Sequence, residues 1–244
     1  LKREMNETPR KAYLGKFTTR IESSPTRPVL TWRLPPDESL SDWKIQIRTL
    51  TPPVVNGDPA PSNNNSVPLE TVYHVHIYVL GAGARRSDYF RRLFEVKEMI
   101  ENKVKTSTIE LDEAAADVFP AMLDFMYDPS KAVVVKTPTQ AAALRHLSSY
   151  FGIQELFENV NDTYIQNGLN MGTAFEYMEA ANVYRDDALV HAAIDALAAR
   201  CARSFDSLIS EKILAMPLEW FSRLAFNAAN FHSVAILLAT YIES

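Results

Sequence analysis

Residues 71–127 read TVYHVHIYVLGAGARRSDYFRRLFEVKEMIENKVKTSTIELDEAAADVFPAMLDFMY, and the order of patterns within them decides the fold. A strand ends in His74, Val75 and His76, and a short apolar run leads to Leu80. Gly81, Ala82 and Gly83 then predict a tight turn. Ser87 is expected to cap a helix over 89–101, in which Phe90, Leu93, Phe94 and Ile100 recur at helical spacing. Residues 108–111 alternate as another strand, followed by a helix carrying Phe119, Met122, Leu123, Met126 and Tyr127. Pro120 would break a helix interior, so Asp117 is the expected N-cap and the helix is expected to start near Val118, with the proline in its first turn.

Working upstream, Ser41 and Asp42 open a strand in which Trp43, Ile45 and Ile47 alternate with Lys44, Gln46 and Arg48, the period of a half-buried strand. The Pro- and Asn-rich residues 51–68 read as a long hairpin connection back to the strand at Thr71. Val29, Leu30 and Trp32 are expected to form a short extra strand, stopped by Pro35 and Pro36. Residues 1–34 are polar and basic; such an arm is compatible with nucleic acid or lipid, and a solvated tail accounts for it without either.

Downstream, Val133, Val134 and Val135 suggest a short strand, and Thr137 with Pro138 forms an N-cap and first-turn pair. Leu144, Leu147, Tyr150 and Phe151 give that helix a buried stripe ended by Gly152. Ile153, Leu156, Phe157, Val160 and Tyr164 define another helix, closing near Gly168. The rest is helical. Thr173 is expected to cap a helix with Phe175, Met178 and Val183 on one side, and Asp186 or Asp187 to cap the next, with Leu189, Ile194, Leu197 and Cys201. Shorter helices around Ile213 and around Trp220, Phe221 and Leu224 follow, then a last one from Phe231 to Ile242.

These residues carry a resemblance. The ordered set Asp42, His76, Leu80, Ser87, Tyr89, Phe90, Ile109, Leu111, Phe119 and Tyr127 resembles the pattern of the BTB/POZ family, an interaction fold. Ser87 lies eleven residues after His76 where the family places it about eight after, so this turn is longer than usual. The helices after residue 166 resemble the BACK region, with Ala180–Val183, a turn at Tyr184–Asp187, and a long helix over 188–202. The resemblance implies an α+β chain: a basic segment at 1–38, a BTB/POZ fold (a small sheet flanked by helices) at 39–166, and an all-helical BACK-like region at 167–244. It also implies protein partners, a cullin among them, and the role of substrate adaptor in a cullin-RING ubiquitin ligase. The alternative is a non-catalytic oligomerisation scaffold, in transcription or another assembly, that binds no cullin. Cullin-binding members place an apolar residue two before an acidic one, a form that Met99 and Glu101 meet, as do Val96 and Glu98. Many dimers of the family use a helix before the first strand. Pro35 and Pro36 forbid a long one here, so a homodimer would form differently or the chain is monomeric.

No constellation argues for catalysis, and no cofactor is implied. A Gly-x-Gly after a strand invites a dinucleotide reading, but Arg86 stands where that fold packs a third glycine. His74 and His76, two apart on a strand, share a face and could begin a metal site, yet the other ligands such a site needs are missing nearby. The resemblance makes His76 a packed structural residue. Cys201, the one cysteine, lies among alanines as a small hydrophobe, excludes an internal disulfide and fits a reducing compartment. Asp112 with Glu113, and Asp186 with Asp187, read as helix caps rather than acid–base pairs. The net charge of −5 gives no general case for nucleic acid, and no apolar run approaches the roughly 20 residues of a membrane span. A cytoplasmic or nuclear protein is expected.

Overall fold

The computed structural model describes residues 30–50, 69–201, 211–228, 235, 238–239 and 241–242. Pro35 and Pro36 leave room for one helical turn, Pro36–Ser39 (α1), which Leu40 ends in the left-handed region at φ 55°. Strand Trp43–Leu50 (β1) buries Trp43, Ile45 and Ile47 by its alternation. It pairs antiparallel with Leu69–Val75 (β2), from Trp43 opposite Val75 to Thr49 opposite Leu69. On its other side it pairs parallel with Thr106–Asp112 (β3), so the sheet order is β2-β1-β3.

Between β2 and β3 run three short helices, Ile77–Ala82 (α2), Asp88–Glu95 (α3) and Ile100–Val104 (α4). Glu113–Tyr127 (α5) packs on β1 and β3, and Pro138–Tyr150 (α6) packs on α5. Gln154–Val160 (α7) continues through a wide π turn, Asn161–Ile165, into Gln166–Gly168 (α8). Ala174–Val183 (α9) lies on α6 and on Asp187–Cys201 (α10), with Glu211–Leu214 (α11) and Leu218–Asn227 (α12) beyond. Residues 235, 238–239 and 241–242, in the expected last helix, are helical. This is the expected α+β arrangement of a small sheet with helices and a helical C-terminal part. One apolar core runs through it from Trp43 to Ala225. The basic segment up to residue 29, the connection 51–68 and most of the expected last helix lie outside the described residues.

Several local expectations are corrected. Gly81 and Gly83 do not form a free turn: Gly81 lies inside α2, where a Cβ would stand 2.9 Å from the Phe94 ring, and Gly83 ends the helix. The helix expected over 89–101 stops at Glu95, so Ile100 starts α4 and is exposed. Asp117 is not a cap. Asp112 Oδ1 accepts from the Ala115 amide at 3.1 Å and starts α5 at Glu113, leaving Pro120 in the interior. An interior proline costs about 3 kcal/mol. Burial of Phe119, Met122 and Leu123, each contributing about 2 kcal/mol, outweighs it. No strand forms at 30–34, where Trp32 instead donates to Asp124 and packs edge-on to Tyr73, nor at 133–135, where the Val133 carbonyl accepts from the Tyr164 hydroxyl. Tyr150 and Val183 face solvent rather than the core.

Three polar fasteners hold the elements in register. In the first, the His76 amide donates to the Tyr127 hydroxyl at 2.7 Å. His76 Nε2 lies 2.6 Å from the Ser39 carbonyl, an obligate acceptor, so Nε2 carries the proton and Nδ1 accepts from the Tyr127 hydroxyl at 2.9 Å. Burial pushes the Tyr127 hydroxyl far up, against the pull of the His76 amide, so it stays protonated. Asp42 adds a cap, its Oδ1 accepting from the Ile77 amide at 2.8 Å.

In the second, Ser87 Oγ accepts from the Phe90 amide at 3.1 Å and donates to the Phe151 carbonyl at 2.5 Å. Phe90 and Phe151 stack with centroids 5.2 Å apart. The third joins α6 to the start of α10. Arg145 Nε donates to Asp186 Oδ2 at 2.6 Å, its guanidinium reaches Asn161 and lies over Phe157, and Asp186 Oδ1 caps the Leu189 amide. Beside it the Tyr184 hydroxyl donates to Asp112 Oδ1 at 2.9 Å, and the His146 ring stacks on Tyr184 at 4.5 Å.

Tyr127→Phe leaves a buried amide without its acceptor and is expected to cost about 2 kcal/mol in urea unfolding. Arg145→Ala strands the Asp186 carboxylate and is expected to cost about 3 kcal/mol by the same measurement. Burial holds His146 below its ordinary 6.5, against the opposing pull of Asp112 and Asp186. Its contribution is therefore complete above pH 6.5 and falls as the pH drops below that value, because the unfolded chain takes the proton first. His146→Phe should flatten the pH dependence of the urea midpoint in that window.

Candidate functional site

The corner between α3 and α4 is built by one side chain. At Val96 the backbone turns extended, with φ −90° and ψ 91°, and α3 ends. Asn102 then reaches back, its Nδ2 donating to the Leu93 carbonyl at 2.6 Å and the Val96 carbonyl at 2.8 Å. Two carbonyls freed at a helix end are thereby satisfied. The Met99 amide donates to the Val96 carbonyl at 3.3 Å, and Lys105 closes α4 in the left-handed region. Met99, Ile100 and Glu101 are thus held at the mouth of a corner rather than along a continuous helix.

Facing this corner is the C-terminal end of α6. Gly152 has φ +63°, and a Cβ there would meet Asp88 Cβ at 3.0 Å, so only glycine fits both the turn and the approach of α3. The turn presents its carbonyls to α3: Phe151 to the Tyr89 amide at 3.2 Å and Gly152 to the Asp88 amide at 3.3 Å. Between the two sides lies an open groove of about 540 Å³, whose apolar lining is Tyr89, Leu93, Val96, Met99 and Tyr150. Asp88, Arg92 and Glu101 supply its charges, and Glu98 does not line it. Met99 is 41% exposed and the neighbouring Ile100 74%. Tyr89 and Tyr150 lie with centroids 5.7 Å apart. Burial, with Tyr150 and the Glu101 carboxylate nearby, raises the Tyr89 hydroxyl above its usual range. It is a neutral donor at physiological pH.

Such a lining can seat an apolar side chain and offer a carboxylate beside it. It contains no histidine or cysteine. Among the described residues no group of three or more His, Cys, Asp or Glu is placed to hold a metal, and no helix is long and apolar enough to cross a membrane. His74 and His76 do not share a strand face as expected. β2 ends at Val75, and His76 turns inward as the N-cap of α2, away from His74 on the outer face of the sheet.

Met99 and Glu101 both line the groove, whereas Asp42, His76, Leu80, Ser87, Phe90, Phe119 and Tyr127 do not and serve as caps, fasteners and core. Asn102 and Tyr150 escaped the sequence reading. Asn102 bonds only to backbone, which no spacing reveals, and Tyr150 shares its helical stripe with buried residues. No curated protein matches the chain. Residues 67–168, from just before β2 to the end of α8, match the family model of the BTB/POZ domain, a family of protein–protein interaction modules.

Proposed function

We propose that this chain is a substrate adaptor of a cullin-RING ubiquitin ligase and that it docks the cullin in the groove between the α3–α4 corner and the end of α6. The carrying observation is that Met99 and Glu101 line this groove together, whereas the competing pair splits, with Val96 inside and Glu98 outside. The exposed apolar anchor beside a carboxylate suits a partner with an apolar pocket rimmed by donors. The chain contributes contacts rather than chemistry, binds no cofactor, and works in the cytoplasm or nucleus.

The adaptor unit is assigned to 39–166. The assignment is supported by β1, which is the central strand of the sheet although it precedes the matched stretch. Residues 167–244 are assigned as a BACK-like region, supported by the succession of α9, a short turn and the longer α10. The target is held away from the cullin groove.

Titration calorimetry of the chain against the N-terminal domain of a BTB-binding cullin tests the reading. Binding is expected, and Met99→Ala and Glu101→Ala should each weaken it about tenfold or more, roughly 1.4 kcal/mol. Met99 is exposed and Glu101 half-buried, and neither belongs to the core, so the urea midpoint should move little. Absence of binding at tens of micromolar, weaker than about 6 kcal/mol, would overturn the adaptor role and leave the scaffold.

A further inference from the structure

Strand β2 lies at the edge of the sheet, and among the described residues nothing pairs with its outer side. Natural edge strands are blunted with lysine, proline or a bulge, because their unpaired backbone groups recruit another strand. The edge LETVYHV, residues 69–75, has none of these: its register on β1 runs without interruption, and it contains no Lys, Arg or Pro. It also exposes apolar side chains, Leu69 at 70% and Val72 at 47%.

We infer that β2 is a self-association edge, pairing antiparallel with β2 of a second copy about a two-fold axis through Val72. Of the in-face antiparallel registers, this one joins all seven residues. It sets Val72 against the partner copy's Val72, Leu69 against Val75, Thr71 against Tyr73, and Glu70 against His74.

Charge selects a second copy as the occupant. On the outer face β1 sets Arg48 beside Glu70 and Lys44 beside His74, and β3 sets Glu110 beside Arg48. A row across the joined sheet therefore reads Glu110, Arg48, Glu70, then His74 and Lys44 of the second copy. Glu70 of each copy lies beside the His74 ring of the other, with Lys44 next in the row, and the two-fold repeats the match. Glu70 lies on the outer face, where Arg48 Nε at 2.9 Å and Gln46 Nε2 at 2.7 Å hold one side of its carboxylate from β1. At the centre the two valines cover each other, as isologous contacts require. The joined sheet has six strands with β2 of each copy at its middle. This surface is distinct from the groove, so the inference stands apart from cullin docking.

Light scattering and sedimentation of the full chain test it. A dimer is expected, and Val72→Lys, which places like charges across the axis, should raise its dissociation constant about tenfold or more. Glu70→Lys should weaken it too, and adding His74→Glu should restore it. In a Cys201→Ala background, Val72→Cys should give a covalent dimer with a short bifunctional thiol reagent, since the opposed Cβ atoms of such a pair lie about 5 Å apart. Val134→Cys, at a more exposed position outside the strand, serves as the control. A chain still monomeric at about 100 µM would overturn the inference. So would a dimer indifferent to Val72→Lys, or cross-linking through Val72→Cys no faster than the control.

Discussion

The turn that ends α6 is the constraint on which the rest is hung. Gly152 in a left-handed conformation turns the Phe151 and Gly152 carbonyls outward, and these accept from Ser87, Asp88 and Tyr89 at the head of α3. Three donors and two acceptors, otherwise orphaned at helix ends, satisfy one another. Phe90 and Phe151 stack beneath them and exclude water, which strengthens the bonds above. Because α3 is locked here, the position of the α3–α4 corner follows, and with it the groove.

Much of this was legible in the sequence because it follows from local rules. The alternation in β1, the caps Ser87 and Thr137, the stop at Gly152 and the capping role of Asp112 all depend on neighbours a few residues away. The misread places are those where side-chain contacts outside the helix and strand periodicities decide. Pro120 is tolerated inside α5 because β3 delivers Asp112 as an earlier cap and the core covers the next two turns. The helix over 89–101 breaks because Asn102 offers the Leu93 and Val96 carbonyls an alternative partner. Gly81 looked like a turn residue but is small to admit Phe94. In the groove, the Met99–Glu101 pattern could be read, whereas the facing wall could not, since it is supplied some fifty residues later by Ser149, Tyr150 and Gly152.

The family match and the sheet do not share a boundary. The matched stretch begins at residue 67, yet β1 at Trp43–Leu50 is the strand that β2 and β3 both need. The long connection 51–68 separates β1 from the rest in sequence without separating it in space, and loop length costs little in free energy once the ends are held. The central strand is the one placed furthest from the recognisable pattern.

Arg145 lies in the middle of α6, and the end of the same helix forms one wall of the groove. Its carboxylate partner, Asp186, is at the same time the cap on which α10 begins. One helix thus walls the groove at its tip and holds the start of a second helix at its waist. A disturbance of this one ion pair would therefore reach both the start of α10 and the helix that walls the groove.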